Sequence, residues 1–282
     1  MRNAHGVSQQ RSSVWQGRYG VSTVLLWAVL LVLGATVGAQ TPARPTGELT
    51  VFAAASLTEP FTEMGKRLEA TYPGLKILYN FGGSQTLRTQ LEQGAQADVF
   101  VSADAVQMEL AQKSGVVQGD TPIFVKNRLV VIVPRDNPGK VMTCRDLSRR
   151  GLKLVLAAPK VPVGNYSRQA LQKATAEYGA EFAEGALKNV VSEEENVKQV
   201  ATKVQLGEAD AGIVYVSDVT PRVSNDVRMI PIPDAYNQIA TYPIALTQGV
   251  QNRVAAEVFI NFVLSSEGQA ALKAHNFIPV KE

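Results

Sequence analysis

The sequence predicts an α/β fold of two lobes with a ligand cleft between them. Short apolar runs alternate with segments of helical spacing through most of the 282 residues, and this alternation is typical of parallel βαβ units. Two long β-rich runs, near 128–133 and 241–246, are candidates for strands that cross between two such series. Two crossings create a hinge and a cleft. We therefore expect lobe 1 to comprise 48–130 and 242–282, and lobe 2 to comprise 131–241.

The first series contains three strand–helix pairs and ends on a long strand. In each pair an apolar, β-branched run leads into a segment of helical spacing. Breakers separate the elements, as at Pro73–Gly74, and Pro134 ends the last strand. The strands are predicted at 48–54, 76–81, 97–101 and 127–133, and the helices at 58–71, 85–94 and 104–113.

The second series continues the alternation, and the helices that close the chain are expected to return to lobe 1. Its strands are predicted at 152–157, 209–214, 227–232 and 242–246. Its helices are predicted at 143–149, 166–178 and 193–206, and the closing helices at 251–265 and 267–274.

Residues 1–39 have the pattern of a secretory signal peptide. Three arginines and no acidic residue come first, an apolar run spans 24–33, and Val37–Gly38–Ala39 fits the small-residue cleavage rule. The rival interpretation is an uncleaved anchor, but a bilayer span needs about 20 apolar residues. We expect a periplasmic or otherwise extracytoplasmic protein that begins with a flexible, Pro/Thr-rich lead-in at 40–47.

Charge and cysteine content narrow the function classes. The chain has 28 basic and 25 acidic residues, and three of the basic ones lie in the leader, so the remainder is balanced. A balanced chain without a nucleic-acid motif argues against a nucleic-acid partner. Cys144 is the only cysteine, so we expect a packed apolar residue, no internal disulfide and no lipid-bearing cysteine after the leader.

Two strand-to-helix turns of the predicted lobe 1 each contain a serine. Ser56 follows the first strand, and Ser84 follows the second strand after Gly82–Gly83. The first N–H groups of a helix have no internal partner and carry the positive end of the helix dipole, so such turns favour an anion. Two serines at two helix starts would then face one small anion. The alternative is that both serines are ordinary N-caps.

Lobe 2 supplies matching elements. The loop with Gly164 enters a helix whose first N–H groups we expect at Tyr166 and Ser167. Another helix is expected to open at 193–197. Tyr215 stands at the carboxyl end of a strand, where ligands bind in open α/β sheets. The alternative for Tyr215 is a half-buried core tyrosine with its hydroxyl satisfied.

Six motifs, in this order, resemble those of the periplasmic molybdate-binding proteins of ABC importers. They are VFAAASLT from Val51, GSQTL from Gly83, ADVFVSAD from Ala97, VPVGNYS from Val161, ENVK from Glu195 and GIVYVSD from Gly212. The resemblance covers nearly the whole chain after the leader. It implies the type II periplasmic-binding-protein fold in a monomer that needs no cofactor. It also implies capture of a tetrahedral oxyanion, molybdate or tungstate, for delivery to an ABC transporter permease and ATPase.

The resemblance further implies the residues that bind the oxyanion. Ser56 and Ser84 would donate their hydroxyl and backbone N–H groups, Ser167 and Val197 their backbone N–H groups, and Tyr215 its hydroxyl. No side chain would bind a metal directly, because molybdenum would be held only as molybdate through these donors.

The chemistry of the ligand fits neutral donors. Molybdate and tungstate are dianions whose oxygens only accept hydrogen bonds, and bonds to a charged acceptor are the strong kind. Protonated phosphate would need an acceptor in the site, and an unpaired proton there would cost about 1–3 kcal/mol. Sulfate has the right charge but is smaller, so its rejection would depend on cavity size.

Other functions stay open on the sequence alone. The same fold could bind sulfate, phosphate or an organic ligand, or serve as a sensor domain. A secreted serine hydrolase with Ser56 as nucleophile is less favoured, because the Gly-x-Ser-x-Gly elbow is absent. Asp98 and Asp104 occupy structural positions, Asp104 as an N-cap, and His275 lies on a terminal helix. We therefore expect a binding protein and not an enzyme.

Overall fold

The computed structural model of the chain describes residues 44–280. The predicted signal peptide at 1–39 and the first part of the lead-in lie outside these residues. The strands within 44–280 are β1 Gly47–Ala54, β2 Leu75–Gly82, β3 Val99–Val101, β4 Val117–Gln118, β5 Ile123–Pro134, β6 Leu154–Ala157, β7 Val190–Glu194, β8 Ala211–Tyr215, β9 Val227–Pro231, β10 Ile239–Thr247 and β11 Ile278–Pro279. The α-helices are α1 Thr58–Thr71, α2 Ser84–Glu92, α3 Ala105–Lys113, α4 Pro162–Tyr178, α5 Phe182–Lys188, α6 Val197–Gln205, α7 Arg253–Leu264 and α8 Ser266–Ala274.

The strands form two groups that share a continuous sheet path. In the first group β1 lies between β2 and β3, both parallel to it, so that Val51 is in register with Tyr79 and with Val99. In the second group β6 pairs in parallel with β7 and β8. Parallel neighbours joined through helices are the βαβ arrangement that the sequence predicted.

Two long strands connect these groups. The first half of β5 pairs with β10, where Arg128 faces Ile239, and its second half pairs with β8 and β9, where Leu129 faces Tyr215. The first half of β10 pairs with β5, and after an irregularity at Tyr242 the strand pairs with β3. Both strands therefore pass from one group to the other. The lobe boundaries at 131 and 242 stay a prediction.

Helix α1 illustrates how the sequence pattern builds the first layer. Phe61, Met64 and Leu68 recur at helical spacing and are buried. The Phe61 ring meets the Phe259 ring of α7 edge to face, with centroids 5.3 Å apart. The C-terminal helices therefore pack against the helix that follows β1. Among residues 44–280, no helix has both the length and the apolar character needed to cross a membrane.

The prediction that Asp98 and Asp104 have structural roles is confirmed. Asp98 accepts backbone N–H bonds from Thr50, Gln251 and Asn252, so its carboxylate ties β1 to the start of α7. Asp104 caps α3 through a bond from the Gln107 N–H at 2.8 Å. Cys144 is buried, as expected for a packed apolar residue.

Several boundaries in the second half of the chain differ from the prediction. Helix α4 begins at Pro162, four residues before the predicted start, because proline suits the first turn of a helix. The predicted helix 193–206 begins at Val197, and Glu193–Glu194 belong to β7. The segment 143–149 is a short 3₁₀ helix, Cys144–Ser148. Helix α5 and strands β4, β7 and β11 were not predicted.

Candidate functional site

A small cavity lies where β1, β2 and β8 end and several helices begin. Its lining contains no Asp, Glu, Lys, Arg or His side chain, and consists of Ala54, Ala55, Ser56, Gly82, Gly83, Ser84, Ala103, Val161, Pro162, Val163, Asn196, Val197 and Tyr215. Four of the five residues predicted to bind the oxyanion are in this set. The fifth, Ser167, is not.

The lining is built from helix starts. The 3₁₀ turn Ala55–Leu57 leads into α1, and the first residues of α2, α4 and α6 also face the cavity. At each start the leading N–H groups lack a partner within the helix. Each start also carries the positive end of a helix dipole. The helix starts therefore bring partial positive charges to a lining that contains no full positive charge.

The two serines that line the cavity are not N-caps. Ser84 is the first residue of α2, and its Oγ accepts a hydrogen bond from the Ala103 N–H at 3.0 Å. Ser56 lies inside the 3₁₀ turn, and its Oγ is 3.0 Å from Tyr242 Oη. Neither side chain bonds to an N–H of its own helix start, so the N-cap alternative is wrong for both. The Ser84 hydroxyl keeps its proton for another acceptor because its bond with Ala103 uses a lone pair.

Tyr215 presents a hydroxyl group with no partner. It is the last residue of β8, it is 1% exposed, and its Oη makes no hydrogen bond within the described residues. Burial raises the pKa of Tyr215 well above its usual value, so the hydroxyl stays protonated at neutral pH. Buried polar atoms without partners are rare in proteins. The alternative of a core tyrosine with a satisfied hydroxyl is therefore wrong, and the group is available as a donor.

Helix α4 places a different residue at the cavity from the predicted one. The expectation that the N–H groups of Tyr166 and Ser167 open this helix is wrong, because the helix begins at Pro162. Ser167 lies one turn further in, and its Oγ donates to the Val163 carbonyl at 2.6 Å. Val163 lines the cavity and stands where the N–H groups are free. Sequence reasoning missed Val163, although Pro162 was a usable signal for the helix start.

The first residues of helix α6 have backbone N–H groups that can act as donors. Val197 is its first residue and lines the cavity, as predicted. Asn196 is the N-cap, and its Oδ1 accepts the Gln199 N–H at 3.2 Å. Because this bond uses the N–H of Gln199, the N–H groups of Val197 and Lys198 are left without a partner within the helix.

Polar contacts next to the cavity join the starts of several helices. Lys198 Nζ lies 2.8 and 2.7 Å from the two carboxylate oxygens of Glu59, at the start of α1, and 3.7 Å from Asp218. Gln85 Nε2 donates to the Glu195 carbonyl at 3.0 Å. In terms of the predicted lobes, the Glu59 and Gln85 contacts join lobe 1 to lobe 2.

Asp218 is a fully buried acid directly behind Tyr215. Its Oδ2 accepts the Tyr215 N–H at 3.2 Å, and the segment 216–218 that carries it follows β8. Burial raises the pKa of Asp218 to about 6, while the Lys198 ammonium opposes this rise. The acid fixes the backbone of Tyr215, and so it helps to position the hydroxyl.

Features that would support hydrolysis or direct metal binding are not assembled at this cavity. Within residues 44–280, no group of three or more His, Cys, Asp or Glu side chains could hold a metal ion. His275 ends α8 and lies 2.8 Å from Glu63 of α1. It is therefore engaged at the helix surface and is not a base for Ser56.

The fold and the donor-lined cavity define a solute-binding protein. The family model described as bacterial extracellular solute-binding protein matches residues 49–278, and the chain belongs to this family. A molybdate-binding protein of Mycobacterium tuberculosis is 37% identical over 261 residues, which cover 92% of this chain and 96% of that protein. Membership in an extracellular family of binding proteins agrees with the expected extracytoplasmic location and with the absence of an enzymatic role.

Solved structures show the same fold. A Clostridium difficile substrate-binding domain, assigned to a molybdenum ABC transporter, is 28% identical with a TM-score of 0.61 and covers 83% of this chain and 99% of its own. The periplasmic molybdate-binding protein of Azotobacter vinelandii is 20% identical with a TM-score of 0.70 and covers 82% of this chain and 98% of its own. These likenesses confirm the type II periplasmic-binding-protein fold, and the Mycobacterium tuberculosis relative confirms the family resemblance that the motifs indicated.

Proposed function

We propose that this chain captures molybdate, and tungstate with it, outside the cytoplasm and delivers it to the permease and ATPase of an ABC transporter. The observation that carries the proposal is the buried Tyr215 hydroxyl, which has no protein partner and lines a cavity of neutral donors. The molybdate-binding relatives and the Clostridium difficile neighbour support this choice of ligand and transporter.

The donor set suits a fully deprotonated tetrahedral dianion. Ser56, Ser84 and Tyr215 offer hydroxyl donors, and the helix starts at Val163 and Val197 offer backbone N–H donors. In this proposal Val163 takes the role that the motif resemblance gave to Ser167. Molybdenum is bound only as the oxyanion, through these groups.

Protonated phosphate fits this cavity poorly. The lining holds no carboxylate. The carboxamide oxygen of Asn196 already accepts the Gln199 N–H, and the Ser84 oxygen already accepts the Ala103 N–H. A phosphate proton would therefore have only the remaining lone pairs of neutral oxygens as acceptors, and where it reaches none of them the unpaired proton costs about 1–3 kcal/mol, or roughly 5- to 150-fold in affinity.

One calorimetric titration tests the ligand. Protein purified after export is titrated with molybdate, tungstate, sulfate and phosphate at neutral pH. We expect tight 1:1 binding of molybdate and tungstate, and binding of sulfate and phosphate at least about tenfold weaker. Preferred binding of sulfate, or no binding of any of the four, would refute the proposal.

Export and delivery have their own measurements. Mass spectrometry of exported protein is expected to show a start near Gln40, and an intact leader would favour an anchor. We expect a monomer that binds the permease more tightly when it is loaded with molybdate. Equal permease affinity of the loaded and the empty protein would contradict selective delivery.

A further inference from the structure

A buried polar network lies behind Ser56, outside the cavity lining. Tyr242 of β10 is fully buried, and its Oη is 3.0 Å from Ser56 Oγ. Asn127 of β5 is also fully buried, and its Nδ2 donates to Ser217 Oγ at 2.8 Å and reaches Tyr242 Oη at 3.5 Å. The network thus joins the two connecting strands to the turn before α1.

The direction of the hydrogen bonds in this network is fixed from its far end. The backbone N–H of Arg128 donates to Asn127 Oδ1 at 2.9 Å. A backbone N–H is only a donor, so the oxygen of the Asn127 carboxamide must face it and the NH₂ group must face Tyr242. An NH₂ group accepts no hydrogen bond. The Tyr242 hydroxyl therefore cannot donate towards Asn127, and the acceptor it reaches is Ser56 Oγ.

This direction decides where the Ser56 proton goes. A serine hydroxyl has one proton and two lone pairs. Because Tyr242 donates to Ser56 Oγ, the Ser56 proton is not spent on Tyr242 and remains for an acceptor in the cavity. The Ala103 N–H donates to Ser84 Oγ in the same way, so the Ser84 proton also remains for an acceptor in the cavity. Burial raises the pKa of Tyr242 well above its usual value, so this hydroxyl keeps the proton that it donates.

We propose that Tyr242, oriented by Asn127, is a positioning residue that directs the Ser56 proton into the oxyanion cavity. The inference rests on the proposed function, because it concerns a donor to the same ligand. Tyr242 itself does not line the cavity. Its ring packs against the Tyr215 ring with centroids 6.0 Å apart, and a phenylalanine at this position would keep that contact.

A double-mutant cycle in molybdate affinity tests the proposal. Tyr242→Phe is expected to weaken binding about 3- to 10-fold in the wild-type background, as the loss of one hydrogen bond of ordinary strength would. The same change should weaken binding by a similar factor in a Ser84→Ala background. In a Ser56→Ala background it should weaken binding by less than about twofold, because the side chain through which it acts is gone.

Tyr79→Phe is the matched control. The Tyr79 hydroxyl donates to the Phe61 carbonyl at 2.7 Å, away from the cavity, so this variant should lose stability and keep wild-type affinity. An NMR readout separates positioning from packing. In protein with ¹³Cζ-labelled tyrosine, molybdate should shift the resonances of Tyr215 and Tyr242, and in Ser56→Ala only that of Tyr215.

The outcomes distinguish the inference from the proposed function. If the wild-type protein binds none of the oxyanions, the proposed function fails and the inference fails with it. If the wild type binds molybdate but Tyr242→Phe weakens binding equally with and without the Ser56 hydroxyl, only the inference is overturned. An unmoved Tyr242 resonance in the loaded wild type would overturn it as well.

Discussion

Tyr215→Phe should weaken molybdate binding without lowering the stability of the protein. The Tyr215 side chain is 1% exposed and its Oη has no partner within the described residues. No protein group compensates the desolvation of this oxygen, which costs about 1–3 kcal/mol. Removing it should leave the free energy of unfolding unchanged or raise it by up to that amount.

The same substitution should weaken molybdate binding strongly. A hydrogen bond to a charged acceptor contributes about 1.5–3 kcal/mol, which corresponds to roughly 10- to 150-fold in the dissociation constant. The ring contact with Tyr242 is kept, so little of the loss should come from packing. Calorimetry with molybdate and urea unfolding without ligand give the two quantities.

Tyr178→Phe is a control in which stability, and not affinity, should decrease. The Tyr178 hydroxyl bonds to the Tyr236 hydroxyl, and their rings pack with centroids 5.4 Å apart, so the bond is satisfied without any ligand. This variant should lose about 0.5–1.5 kcal/mol of stability and keep its affinity for molybdate. A Tyr215→Phe variant that behaved like this control would refute the role given to Tyr215.

Three further variants test other parts of the site. Gly83→Ala would place a Cβ 2.3 Å from the Glu195 carbonyl, so we expect calorimetry to show molybdate binding at least about tenfold weaker; wild-type affinity would contradict this close approach. Burial raises the pKa of Asp218 and Asp104 from 3.8 to about 6, so between these values the two groups bind more protons in the native state than in the unfolded state. Their contribution to stability should therefore fall as pH rises from about 4 to 6. In Asp218→Asn, the decrease in the free energy of unfolding between about pH 4 and 6, measured by urea unfolding, should be smaller by roughly 3 kcal/mol. A decrease equal to that of the wild type would contradict the raised pKa of Asp218. Ser167→Ala should change molybdate affinity by less than about twofold, because its hydroxyl bonds inside its own helix, and a larger loss would show that this hydroxyl contributes to the site.

The sequence was most informative where breakers frame an element. Helix α1 spans Thr58–Thr71 as predicted, because its apolar residues recur at helical spacing and Pro73–Gly74 ends the segment. Ser56, Ser84 and Tyr215 were predicted as side-chain donors, and all three line one cavity. The sequence shows directly which side chains carry a hydroxyl. Their positions at the ends of predicted strands were sufficient to place them at the cavity.

Backbone donors were harder to locate, because any residue has an N–H and only its position in the helix makes it available. The loop around Gly164 suggested a later helix start, so the free N–H groups were expected at Tyr166 and Ser167 and not near Val163. The acidic run before α6 resembled a helix first turn, yet Glu193 belongs to β7. Val197 was correctly expected at the cavity because the motif resemblance pointed to it, and not because the helix start was predicted correctly.

The placement of Lys198 bears on how the cavity selects its ligand. This residue follows Val197 at the start of α6, but its ammonium lies against both oxygens of Glu59 and near Asp218, and the cavity lining holds no charged side chain. An ammonium on a flexible stem would adjust its position to anions of different size. Hydroxyl and N–H donors fixed by helix starts, strand ends and the Tyr242 bond cannot adjust in that way. A smaller oxyanion must then form longer and weaker hydrogen bonds, so rigidity, more than charge, is the physical basis on which this site can discriminate between dianions of equal charge.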